Sequence, residues 1–134
     1  MRTRAKYIQK KKPSETVKYQ ELKEIIDDLK KDRRKKLVEG KKDKEALNKL
    51  GIKQIETINT KPLREITRKE NEKEVILLTD FDREGKSKSS QLIRLYRAEG
   101  IKTDLNYKKQ LGKLHGISEI EEIPTKYKEL KNKK

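Results

Sequence analysis

The sequence predicts an α/β domain: a four-stranded parallel sheet flanked by helices, with an N-terminal helix and basic arms at both termini. Three observations predict it. Short apolar runs alternate with helical stretches of roughly ten residues, the habit of a parallel sheet covered on both sides. The run Val75-Ile76-Leu77-Leu78 is continuously apolar, as a central parallel strand buried on both faces would be. Lys and Arg crowd the two ends and leave the middle nearly balanced.

The elements follow in order. Residues 1–14 are a basic arm, poor in apolar groups and broken by Pro13. Ser14 is placed to cap a helix over 15–32, in which Leu22, Ile25, Ile26 and Leu29 repeat at i, i+3, i+4, i+7. The basic run Lys30–Lys36 leads into a short strand at Lys36-Leu37-Val38, ended by Glu39-Gly40. Asp43 is read as a cap for the next helix, whose buried stripe is Ala46, Leu47 and Leu50 and which Gly51 closes in a left-handed conformation. Residues 52–58 read as a second strand. Pro62 suits a first helical turn with Leu63 and Ile66 facing inward. Glu74–Thr79 is the third strand. A helix over Ser87–Glu99 follows, with Leu92, Ile93, Leu95 and Tyr96 inward and Gly100 ending it. Ile101–Tyr107 is the fourth strand. Beyond it the chain reads as irregular, with a short amphipathic segment at Glu119–Glu122 and a basic tail over 126–134. The domain division is thus a basic arm 1–14, an N-terminal helix 15–34, a main body 35–125 and a tail 126–134.

Composition narrows the function. Among 134 residues, 46% are charged and 30% hydrophobic, and the formal net charge is +15. A lean core of that kind suits one small layered domain. There is no Cys, which excludes disulfides and thiolate metal sites. No 18-residue apolar run exists and no apolar stretch follows Met1-Arg2-Thr3-Arg4, so neither a membrane span nor a secretory signal is expected, and the expected location is cytoplasmic. Residues 1–36 hold 14 Lys/Arg against 6 Asp/Glu, and residues 126–134 hold 5 against 1. Basic arms on a balanced body are attracted to polyphosphate, and salt weakens that attraction.

Against this positive background stands Thr79-Asp80-Phe81-Asp82-Arg83-Glu84-Gly85, directly after the most apolar strand. Its three carboxylates at alternate positions repel one another unless a cation sits between them. In a parallel α/β sheet the working site lies at the carboxyl ends of the strands. Glu39 ends the first strand and Asp80 the third, so two distant stretches bring acids to one edge. His115, between Leu114 and Gly116, is read as structural or as a surface residue.

Leu37-Val38-Glu39-Gly40-Lys41-Lys42-Asp43 and Asp80-Phe81-Asp82-Arg83-Glu84-Gly85 together resemble the Toprim domain. That Rossmann-like domain is shared by type IA and type II topoisomerases, bacterial-type primases, OLD-family nucleases, recombination-repair proteins and the nuclease that matures 5S ribosomal RNA. The resemblance covers roughly residues 35–125, and the layout is similar to small stand-alone Toprim proteins. Phe81 departs from the Pro that many members carry there. Lys86 and Lys88 set positive charge beside the acids, useful for phosphate and awkward for a tight cation. No winged-helix domain, zinc subdomain or priming subdomain accompanies the motifs, which argues against a topoisomerase or a complete primase. The resemblance implies Mg²⁺ or Mn²⁺ held by Glu39, Asp80, Asp82 and Glu84. It also implies a catalytic set of Glu39, Asp80 and Asp82, with Glu39 as general acid or base.

Two functions follow as expectations. One is a metal-dependent phosphodiesterase acting on structured RNA such as ribosomal RNA. The other is a non-catalytic RNA-binding protein associated with the ribosome or its assembly, with ribosomal or processing proteins as partners. RNA is favoured over DNA on compositional habit, and no membrane partner is expected. Arg2, Arg4, Lys6, Lys10, Lys11, Lys12, Arg33, Arg34, Lys41, Arg83 and Lys86 are the candidate nucleic-acid contacts.

Overall fold

Residues 14–133 are described by a computed structural model, and the arm residues 1–13 lie outside them. The chain runs α1 (Glu15–Lys31), β1 (Lys35–Val38), α2 (Lys41–Lys49), β2 (Ile55–Thr57), α3 (Leu63–Arg68), β3 (Glu74–Leu77), α4 (Arg83–Ala98), β4 (Lys102–Asp104) and α5 (Asn106–His115). A 3₁₀ turn (Ile120–Glu122) then leads into α6 (Ile123–Lys133). The four strands form one parallel sheet in the order β2-β1-β3-β4. The chain therefore winds outward in both directions from the central pair β1 and β3. That is a topological switch point, where the crevice beyond the strands' carboxyl ends opens.

Side-chain alternation along the strands builds two cores. Val38, Ile76 and Leu78 face one layer, made by α1, α2, α5 and α6. Leu37, Val75 and Leu77 face the other, made by α3 and α4, where Tyr96 is fully buried as its spacing predicts. The expected strand-helix alternation and parallel sheet are found. Among the described residues no helix is long and apolar enough to cross a membrane.

Several boundaries differ from the sequence reading, each for a local reason. Helix α4 begins at Arg83, not Ser87, because Asp82 caps it by accepting the Gly85 N–H at 2.7 Å. The second strand is three residues long, not the span 52–58. Gly51 (φ 86°) and Gln54 (φ 59°) turn the chain, and the Ile52 N–H returns to the Leu47 carbonyl. The fourth strand stops at Asp104, whose Oδ1 accepts the Asn106 N–H at 2.7 Å and turns the chain into α5. Tyr107, Leu111 and Leu114 repeat at i, i+4, i+7, a helical spacing that the strand-then-irregular reading overlooked. The stretch expected as a basic tail is helical through Lys133, with Leu130 buried against the α1 layer. Tyr127 stacks on Tyr19 of α1 with centroids 5.4 Å apart. The basic residues there are the solvent face of a docked amphipathic helix.

Polar networks supplement the apolar core around the start of β1. Arg34 joins Asp32, Asp104 and Glu74 in ion pairs of 2.6–2.9 Å. Tyr107 adds its hydroxyl to Asp32, whose carboxyl is held far below the usual range by the Arg34 guanidinium. Glu70 accepts from Lys35 at 2.7 Å and from the Tyr96 hydroxyl at 2.9 Å. Lys36, fully buried, donates to the carbonyls of Asp32 and Lys53, which ties the end of α1 to the approach to β2.

Leu130→Ala should lower the free energy of unfolding by about 2–4 kcal/mol, because the side chain leaves a cavity beneath α1. Urea denaturation measures it, and a loss under about 0.5 kcal/mol would mean that α6 is not part of the core.

Candidate functional site

The carboxyl ends of β1 and β3 are neighbours, so Glu39 and Asp80 meet although 41 positions separate them. The contact is a hydrogen bond: the Asp80 N–H donates to Glu39 Oε2 at 2.9 Å. Glu39 Oε1 accepts from Lys88 Nζ at 3.2 Å, and Lys88 also reaches Glu84 at 3.4 Å. Lys88 thus bridges the end of β1 to the first turns of α4.

Asp80 Oδ1 accepts the Ile120 N–H at 3.0 Å, so the 3₁₀ turn closes over this acid. The Phe81 N–H donates to the Ser118 carbonyl at 3.0 Å. The Pro of many Toprim members could not make this bond, for want of an N–H. The Phe81 ring lies against α5 at Gly112, where a Cβ would come within 2.7 Å of it. Gly85 is required by close approach too: a Cβ there would lie 2.0 Å from the Asp80 carbonyl oxygen and 2.8 Å from Glu39 Oε2. The glycine lets α4 start directly beneath the acids.

Charge crowds this edge. Burial pushes the Asp80 carboxyl up from 3.8 to about 6, helped by the nearby charges of Asp43, Glu39 and Asp82 and opposed by the Ile120 hydrogen bond. Asp43 is buried at the start of α2 and accepts the Gly40 N–H at 3.1 Å, the capping role expected of it. Burial, Glu121 and Glu39 push its pKa up as well. An open recess of about 330 Å³ lies over this group, lined by Glu39, Asp43, Asn59, Asp80, Glu119 and Glu121 among others.

The sequence-predicted residues divide by position. Glu39, Asp80 and Asp82 stand at the carboxyl edge, with Glu39 and Asp80 in direct contact and Asp82 engaged as the cap of α4. Glu84 is exposed and turned to Lys88. Lys41, Arg83 and Lys86 are exposed on the first turns of α2 and α4, around the same edge. Arg34 lies at the opposite, amino end of β1, committed to its ion pairs, with exposed Arg33 next to it. Arg2, Arg4, Lys6, Lys10, Lys11 and Lys12 lie outside the described residues. Sequence reasoning missed Lys108, which reaches the site from α5 beside Thr79 and Ser89. The helical spacing of Tyr107, Leu111 and Leu114 was the signal that could have placed it on a helix.

Among the described residues no three acids are grouped as ready-made metal ligands. The donor set nevertheless suits a hard divalent cation. Its ligands are carboxylate oxygens, burial and the neighbouring acids hold the Asp80 carboxyl above its ordinary value, and Mg²⁺ asks for only one or two carboxylates beside water and phosphate.

A family model of the Toprim domain matches residues 36–105. A UPF0292 protein of Methanocaldococcus jannaschii is 39% identical over 114 residues, which are 78% of this chain and 88% of that protein. A UPF0292 protein of Thermococcus sibiricus is 30% identical over 120 residues, 84% and 95% of the two chains. A solved structure of a protein from Aquifex aeolicus superposes with a TM-score of 0.70 at 34% identity, covering 75% of this chain and 96% of that one.

Folding raises the Asp80 carboxyl above its unfolded value, so the protonated fold is the favoured one. The stabilisation from this group is complete below about pH 3.8 and is lost as pH climbs through about 6. Asp80→Asn removes that loss and should stabilise the metal-free protein at pH 7.5 by about 1–2 kcal/mol, after halving for solvent screening. Melting in EDTA checks it, and an unchanged or lower midpoint would contradict the crowding. Gly85→Ala should cost about 2–3 kcal/mol, since the first turn of α4 must shift; a wild-type urea midpoint would show that the close approach can relax.

Proposed function

The chain belongs to the Toprim domain family, which carries a nucleic-acid-related function, and we propose that it is a Mg²⁺-dependent phosphodiesterase acting on structured RNA such as ribosomal RNA. The observation that carries this reading is the junction of Glu39 and Asp80 at the switch point of the sheet. Around it, the raised Asp80 carboxyl leaves a site that gains by binding a cation.

In this proposal Asp80 and Asp82 hold the metal, with Glu39 beside them and Glu84 at the margin. A bound Mg²⁺ or Mn²⁺ would neutralise charge on the scissile phosphate and lower the pKa of water. The chain's own groups do the rest. Lys41, Arg83 and Lys86 hold the phosphate backbone at the ends of two helices whose N-termini favour anions. Lys88 turns from Glu39 to a phosphate oxygen, which frees Glu39 Oε1 to accept or return a proton. The basic arm 1–13, with six Lys/Arg and no acid, tracks the backbone by charge. With one Phe and no Trp, base stacking has little to offer, so RNA shape is the feature read.

A second reading is a non-catalytic RNA-binding protein of the ribosome or its assembly. The observation that favours it is the engagement of Glu39 by Lys88 and of Asp82 by the Gly85 N–H, with no ready-made triad of acids among the described residues.

Incubation of labelled structured RNA and duplex DNA with Mg²⁺ or Mn²⁺ separates the two. The enzyme reading expects cleavage of RNA that falls by at least about 100-fold in Glu39→Gln and Asp80→Ala while binding persists. Binding without cleavage under either metal supports the second reading. Deleting residues 1–13 should flatten the dependence of log affinity on log salt, and an unchanged slope would remove the arm from the interface.

A further inference from the structure

Lys108 is a buried lysine, 8% exposed, that neither sequence motif contains. Its Nζ donates to Thr79 Oγ1 at 2.7 Å and to Ser89 Oγ at 3.0 Å, and it lies 5.5 Å from the centroid of the Phe81 ring. Thr79 and Ser89 bond to each other at 2.5 Å, which closes a three-membered polar knot under the end of β3. Among the described residues no carboxylate lies within ion-pair distance of this ammonium. Burying a charge with only hydroxyl partners is costly unless opposite charge acts on it from nearby. Burial pushes the Lys108 pKa down, and the groups that hold it up are Glu39, Asp80 and Asp82. These are the three acids of the functional edge, and neighbouring Lys86 opposes them.

We propose that Lys108 is a positioning residue that serves as the internal counter-ion of the Glu39–Asp80–Asp82 edge. Its fixed ammonium stabilises the three carboxylates while no divalent cation is bound, and its grip on Thr79 orients the backbone that leads into Asp80. A divalent cation entering the edge meets a site whose charge is already partly compensated. Lys108 therefore stabilises the metal-free fold and weakens cation affinity, which makes cation binding reversible instead of structural. The cation half of this inference rests on the reading of Asp80 and Asp82 as metal-holding residues.

The test uses the full chain and five variants: K108Q, which retains a hydrogen-bond donor, K108M, which retains neither donor nor charge, K109Q, D80N, and K108M combined with D80N. Calorimetric titration with Mg²⁺ and thermal melts in EDTA and in Mg²⁺ are the readouts. The expected result is that K108Q and K108M both melt lower in EDTA, bind Mg²⁺ about tenfold more tightly and gain more in melting temperature from it than the wild type. K109Q loses the same formal charge from an exposed position on the same helix and should stay within about twofold of the wild type. K108Q behaving as wild type while K108M fails would reduce the role to hydrogen bonding and overturn the counter-ion. So would variants that Mg²⁺ neither binds more tightly nor restores. If the wild type binds no Mg²⁺, the metal reading falls, and the charge role is decided in EDTA alone. D80N must then raise the melting point of K108M by more than it raises that of the wild type, and an equal or smaller rise overturns it.

Discussion

The hydrogen bond from the Asp80 amide to Glu39 joins the ends of the two central strands, and the arrangement of the carboxyl edge depends on it. It ties one acid to the backbone of the other at the point where like charges would drive the loops apart. Around it each acid has a separate partner. Glu39 takes Lys88, Asp80 takes the Ile120 N–H, Asp82 takes the Gly85 N–H, and Asp43 takes the Gly40 N–H. Three of these four are backbone donors, two of them at helix starts where the dipole favours an anion. The acids are thus held apart in orientation while remaining close enough to raise Asp80.

That balance explains why the edge is crowded without being a closed ion-pair cluster. Had each acid met a lysine or arginine, Asp80 would sit below its ordinary value. It sits above, at about 6, because burial and neighbouring acids outweigh its single hydrogen bond. Gly85 makes the crowding feasible by removing the one side chain that would separate α4 from the strand end. The opposite end of the sheet follows the other logic. There Arg34 and Lys35 meet carboxylates directly, and the Asp32 carboxyl is pulled far down. Ion pairs stitch the start of β1 to its neighbours, whereas at the carboxyl ends backbone N–H groups hold Asp80, Asp82 and Asp43 and Lys88 pairs with Glu39.

A lean core makes such stitching necessary. With 30% hydrophobic residues, the chain uses tyrosines and long charged side chains to cover what aliphatic groups cannot. Tyr96 is wholly buried with its hydroxyl on Glu70, Tyr19 and Tyr127 stack between the first and last helices, and Lys36 is spent on two backbone carbonyls. Helices α1 and α6 lie at the two ends of the chain and pack together on one layer, beyond the stretch 36–105 that matches the family.

What was legible in the sequence is what depends on local pattern. The apolar run Val75–Leu78 marks a central strand because a strand covered on both faces has no polar side to show. The spacing of Leu22, Ile25, Ile26 and Leu29 marks a helix because those positions share one face, and two acidic motifs at strand ends announce a site because parallel strands end together. The tertiary structure decided what depends on distance in space. Whether Lys88 faces solvent or Glu39, and whether residues 126–133 trail or dock, are settled by neighbours tens of positions away. Lys108 shows the reason most plainly: nothing adjacent to it in the chain distinguishes it from Lys109, and only the packing of α5 buries one and exposes the other. Local sequence carries periodicity and capping chemistry; the partner of a charged side chain is a property of the folded whole.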